Sequence, residues 1–254
     1  MAGAATDPFH LSIHERPSSA GKHSGKVTSG EVHPWNVVHA CTQVRDILPL
    51  IDVQVSAGMR PFLVTPHGSG TPDLYLRAAE ESAKPASLLT AWNDVRQWRR
   101  SLLEADPDQS AEVVHSHSFS SGMAAVRNFG AVVYDLQGCV EEMAMGAGQC
   151  EAGSWLARSF RVAEQFILAR ASAIITHGSV MRDAVLERGA PKENVFMVLL
   201  PEEWVKGDPG TAAKNVAFSE TLARRYDAIY QHAFTNRKKS PAPPTNGSLV
   251  PIQA

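Results

Sequence analysis

The residues with the clearest chemical potential lie in AEVVHSHSFSSGMAAVRNFGAVVYDLQG, residues 111–138. His115, Ser116 and His117 end one apolar run, and Asp135 and Gln137 end the next. Imidazoles can donate, accept or carry a proton near neutral pH. A carboxylate beside them can fix a tautomer or stabilise an imidazolium. His115 and His117 are two apart on a strand and therefore share a face. With Asp135 they offer three ligand atoms to a metal, but a tetrahedral site needs further ligands at compatible geometry. No metal and no cofactor are therefore expected.

Two apolar strands (112–114 and 131–134) with a short helix between them form a βαβ unit. Groups just past the carboxyl ends of parallel strands face the crevice in which such sheets bind ligands. The flanking sequence extends the pattern. Asn36–Cys41 (NVVHAC) reads as a buried strand with His39 in the core. A helix follows over Asp46–Ala57, with Asp46 as N-cap, Pro49 in the first turn and Gly58 at the stop. Further strands are expected at 61–65, 173–176 and 195–200, and helices at 88–105, 154–171 and 179–188. Ser179 is read as an N-cap, and residues 145–153 as a glycine-rich loop. This alternation implies an α/β fold, a doubly wound and mostly parallel sheet. Its carboxyl edge collects Cys41 and Thr42, His67–Gly70, Ser116 and His117, Asp135 and Gln137, and His177–Ser179. His67, Gly68 and Ser69 could cradle a ligand through backbone N–H groups, with a plain strand-to-loop turn as the equal alternative.

The domain organisation reads as follows. Residues 1–34 form a disordered arm rich in Ser, Gly, His and Lys, and residues 35–204 the nucleotide-fold domain. Residues 205–217 are a linker, 218–234 a helix packing on that domain, and 235–254 a basic, proline-rich disordered tail. AGKHSGKV in the arm lacks the first glycine, the hydroxyl residue and the preceding strand that a phosphate-binding P-loop needs.

Composition excludes several classes. The chain has 254 residues, 44% of them hydrophobic, and a formal charge of −2. That charge gives no reason to expect nucleic acid as partner. No apolar run reaches the ~20 residues of a membrane span. The amino terminus lacks a secretory pattern. The three cysteines form no Cys-x-x-Cys motif. A cytoplasmic, non-transmembrane protein is expected.

From Trp35 to Pro201 the chain resembles the amino-terminal half of the family 4 retaining glycosyltransferases, which have the GT-B fold. VVHSHS resembles their Val-Val-His-x-His strand end, and VVYDLQG the strand that follows it. ARASAIITHGSVMRDAVLERGAPKENVFMVLLP resembles their later strand-helix-strand segment. The resemblance implies an acceptor-binding lobe, its acceptor being a glycan or glycolipid. It gives His117 and Asp135 catalytic positions at the lip of a cleft. Ser116, Gln137, His177 and the His67–Ser69 turn would then bind substrate.

Departures accompany the match. The loop after the first strand, Cys41–Asp46, has no glycine, so Arg45 is left as the candidate for a donor phosphate. Gln137 stands where a histidine is common in the family. Only about fifty residues follow Pro201, too few for a second doubly wound domain of ordinary size. The 218–234 helix resembles the final helix of complete members, which crosses back onto the amino-terminal domain. The resemblance thus implies a donor-domain partner chain for activity. The alternative is a non-catalytic carbohydrate-binding or protein-interaction module.

Overall fold

The computed structural model describes residues 32–42, 44–65, 88–106, 110–199 and 216–238. His67, Gly68 and Ser69 lie outside the described residues, as does the side chain of Arg45. So do the 1–31 part of the arm, all but the edge of the 205–217 linker, and the tail beyond 238.

Six strands form one sheet: β1 (Asn36–Ala40), β2 (Arg60–Val64), β3 (Val113–Ser116), β4 (Val132–Leu136), β5 (Ala173–Thr176) and β6 (Val195–Met197). Their order is β2-β1-β3-β4-β5-β6, and every pairing is parallel. The connecting helices are α1 (Val44–Ser56), α2 (Leu88–Ala105), α3 (Phe119–Asn128), α4 (Val140–Gly146), α5 (Trp155–Arg170) and α6 (Ser179–Glu187). A final helix, α7, spans Val216–Thr235. Strands this short and apolar are stable only with both faces covered, and helices cover both. The sheet is doubly wound, as expected.

Strand parity sorts the core into two layers. Val38, Val114, Val132, Tyr134 and Ile174 face α2, α3 and α5, where Trp98, Leu102, Met123, Ile167 and Leu168 complete one cluster. Gly122 of α3 permits the closest approach in this layer, since a Cβ there would sit 2.9 Å from the Tyr134 ring. Val37, Val113, Val133, Ala173 and Ile175 face α1 and α7. α7 places Leu222, Tyr226, Ile229, Tyr230 and Ala233 on this second layer, a helical stripe of i, i+4, i+7, i+8 and i+11. Polar contacts fix its position: Trp35 Nε1 donates to Asp227 Oδ1 at 2.7 Å, and His232 Nε2 meets Asn194 Oδ1 at 3.0 Å.

Some element limits differ from the sequence reading. α1 begins at Val44, so Asp46 lies inside it rather than capping it. The N-cap of α6 is Gly178, without a side-chain cap, and Ser179 is already helical. β4 runs on to Leu136, which puts Asp135 inside the strand. β6 stops at Met197. Residues 145–153 include the end of α4 and two turns whose Gly148 and Gly153 take positive φ. Among the described residues no helix is long and apolar enough to cross a membrane.

Candidate functional site

The strand order places β1 between β2 and β3, so the winding direction reverses at the β1–β3 pair. Sheets of this kind bind ligands outside the carboxyl ends of the strands at that reversal. His39 and His115 are register partners across the same pair. Parity then carries the second-layer face upward from Val37 to His39, from Val113 to His115 and His117, and from Val133 to Asp135. The polar groups therefore stack directly above the apolar layer under α1 and α7.

They form a nearly closed ring of hydrogen bonds. Gln54 of α1 donates through Nε2 to the Tyr230 hydroxyl at 2.7 Å, which leaves its Oε1 to accept from His39 Nε2–H at 2.8 Å. His39 Nδ1 is then the acceptor for His117 Nε2–H at 3.0 Å. His117 Nδ1 lies 3.3 Å from Asp135 Oδ2. On the other side the Tyr230 hydroxyl meets His115 Nδ1 at 2.9 Å. His115 Nε2 faces Asp135 Oδ2 at 3.7 Å, beyond hydrogen-bond reach, and is buried with no partner.

His177 leads from this ring toward the surface. Its Nδ1–H donates to Val198 O at 2.9 Å and its Nε2–H to Asp135 Oδ1 at 2.6 Å. Two donating nitrogens make an imidazolium. Burial opposes that charge, but the Asp135 carboxylate outweighs it and raises the His177 pKa. Burial likewise opposes ionisation of Asp135, yet His115, His117 and His177 hold its carboxyl well below the usual range. His39 and His115 behave oppositely. Burial, reinforced by neighbouring histidines, lowers His39 well below its ordinary value and brings His115 down to about 4.

The placement of the sequence-derived candidates is uneven. His117 and Asp135 are brought together, but beneath α7 rather than at an open lip: His117 is 4% exposed and Asp135 5%. The imidazole expected at a cleft is thus enclosed, and the Tyr226 and Tyr230 rings of α7 pack against its neighbour His115. Ser116, expected as a substrate contact, is likewise enclosed. It is fully buried, with its hydroxyl on Ser121 Oγ at 2.7 Å inside the capping network of α3. Gln137 is exposed beside this edge, and the His177 side chain is 26% exposed. Thr42 and Ser179 are exposed at the same edge.

Three members of the ring are not expected there from sequence: His39, Gln54 and Tyr230. Parity could have flagged His39, which follows Val37 on the second-layer face. Nothing local marks Gln54 or Tyr230. Tyr230→Phe keeps the ring but removes the hydroxyl that serves Gln54 and His115. Leaving buried polar partners unsatisfied costs about 1–3 kcal/mol. Urea denaturation should show that loss, and an unchanged midpoint would mean that the hydroxyl is dispensable to the ring.

Comparison with known proteins adds the family. No curated protein matches the chain. Among solved structures, sucrose-phosphate synthase from Thermosynechococcus elongatus is similar in fold at a TM-score of 0.50 and 12% identity, covering 78% of this chain and 98% of that one. A doubly wound lobe of this kind is half of a GT-B fold. Residues 44–201, more than half of the chain and including β3, β4 and the His177 turn, match the glycosyl transferase 4-like domain, and the chain belongs to that family.

Proposed function

We propose that this protein is the acceptor-side lobe of a glycosyl transfer site whose nucleotide-sugar donor is held by a separate partner chain. The supporting observation is the arrangement around α7. In the complete glycosyltransferases that the sequence resembles, the donor domain precedes the helix that returns to the first lobe. Here residues 198–215 are all that separate β6 from α7, too little chain for a doubly wound domain.

The acceptor, a glycan or glycolipid, lies along the carboxyl edge of the sheet. Gln137 and His177 touch it because they are the reachable polar groups beside Asp135. Asp135 and His117 act from below: Asp135 holds His177 in its charged, doubly donating state, and His117 braces Asp135. A fixed cationic donor at that edge favours an oxygen carrying developing negative charge.

A second reading, a non-catalytic carbohydrate-binding or interaction module, is favoured by the burial of His117. One experiment separates the two. Transfer from labelled nucleotide sugars to saccharide acceptors is assayed with the chain alone and with co-purifying proteins. The proposal expects turnover only in the mixture. It also expects saccharide binding that weakens about tenfold or more in His177→Ala, since a charge-assisted hydrogen bond is worth about 1.5–3 kcal/mol. Turnover by the chain alone overturns both readings. Saccharide binding without turnover in any mixture leaves the module.

A further inference from the structure

We infer that His39, His115 and His117 supply three ligands of a four-coordinate zinc site beneath α7, a water molecule being the fourth. One ring nitrogen from each of the three lies within 4.8 Å of the other two, and all three residues are buried. The inference rests on this geometry alone, independent of the glycosyl-transfer reading.

The arrangement of the opposite ring nitrogens is what points to a metal. A histidine ligand to zinc usually donates its other N–H to a carboxylate, carbonyl or similar group that fixes its orientation. Here His117 Nδ1 faces Asp135 Oδ2 at 3.3 Å, His39 Nε2 meets Gln54 Oε1 at 2.8 Å, and His115 Nδ1 meets the Tyr230 hydroxyl at 2.9 Å. Each imidazole is thus held from behind by a different element. The nitrogens left over are His39 Nδ1, His117 Nε2 and His115 Nε2. The first two share the 3.0 Å hydrogen bond of the ring, which the ion would replace as the His117 Nε2 proton is released to solvent. The third is buried without a hydrogen bond, Asp135 Oδ2 lying beyond reach at 3.7 Å, an arrangement that calls for an explanation.

The dimensions suit the ion. Zinc–nitrogen bonds of about 2.0–2.1 Å in a tetrahedron set nitrogens about 3.3–3.4 Å apart. The His39–His117 pair needs to open by only a few tenths of an ångström, and His115 moves inward. In the bound form each imidazole keeps one proton on the nitrogen away from the ion. His117 directs its Nδ1–H to Asp135, His39 its Nε2–H to Gln54, and His115 its Nδ1–H to Tyr230. Three neutral imidazoles favour zinc over magnesium or calcium, which prefer oxygen ligands. The ion would tie β1 to β3 at the point where the winding reverses.

The test uses the full chain, stripped with chelator and titrated with zinc sulfate and with cobalt chloride. Expected are one zinc per chain and visible cobalt bands of tetrahedral intensity. His115→Gln should abolish both. Tyr230→Phe, which keeps all three ligands, should weaken zinc binding about 10–100-fold, the usual cost of losing an outer-shell partner. Circular dichroism on each variant confirms that folded protein is being compared. Substoichiometric zinc on the folded parent chain overturns the proposal. So does zinc bound equally well by folded His115→Gln, which would place the ion on other histidines such as His10, His14 and His23.

Discussion

A chain ending at residue 215 should fail to fold cooperatively, because it loses α7. Leu222, Tyr226, Ile229 and Tyr230 are each at most 3% exposed, and all four lie in the second core layer. Burying such a side chain contributes about 1.5–3 kcal/mol, so together they approach the ~5–15 kcal/mol that holds a typical domain together. The polar losses add to this. Trp35 Nε1 would lose Asp227, Asn194 would lose His232, and Gln54 and His115 would both lose Tyr230. The uncovered strand face, with Val37, Val113, Val133 and Ile175, would be a broad apolar surface prone to association. Near-UV circular dichroism and a urea titration decide the matter. A truncated chain with native-like signal and an unshifted midpoint would show that α7 merely decorates the lobe.

The dependence on α7 also explains what can be read from sequence. Buried parallel strands are nearly continuous apolar runs, so NVVHA, AVVYDL and AIIT are evident without any tertiary knowledge. The parallel, doubly wound arrangement then follows from their alternation with helices. Ends are less legible. Asp46 resembles a cap by residue type, but helix α1 begins two residues earlier. Asp135 looks like a residue beyond its strand because carboxylates are unusual within buried strands. It is tolerated there because His177 and His117 accompany it.

The candidate site is legible as a set of strand-end groups, but its enclosure is not. Tyr230 fits an apolar helical stripe equally well whether its hydroxyl points to solvent or to His115. Only the packing of α7, far along the chain, decides between these. His39 can be assigned to a core by local pattern. Its pairing with His115 depends on a register that no single strand encodes.

Stability of the metal-free chain should fall steeply as pH drops below 6.5. A histidine whose pKa is lower in the folded state is protonated first in the unfolded chain, so acid favours unfolding over that interval. His115 has an ordinary pKa of 6.5 and a folded value of about 4. At about 1.4 kcal/mol per unit, its neutral burial accounts for about 3 kcal/mol lost across that range. His39 is lowered by the same causes and adds in the same direction. The other members of the cluster do not offset this. The raised pKa of His177 gives a contribution that is complete below 6.5 and is lost as pH rises through the folded value. The lowered pKa of Asp135 gives one that is present above 3.8 and lost only as pH falls through a lower value. Stability should therefore peak near neutrality, where all three effects overlap. Urea midpoints measured with chelator between pH 8 and 4.5 should trace that peak, and the His115 ring resonances should show no titration above pH 5. A flat midpoint from pH 7 to 4.5, or a His115 ring that titrates near 6.5, would mean that the imidazole is solvated in the folded state and that α7 does not seal the cluster.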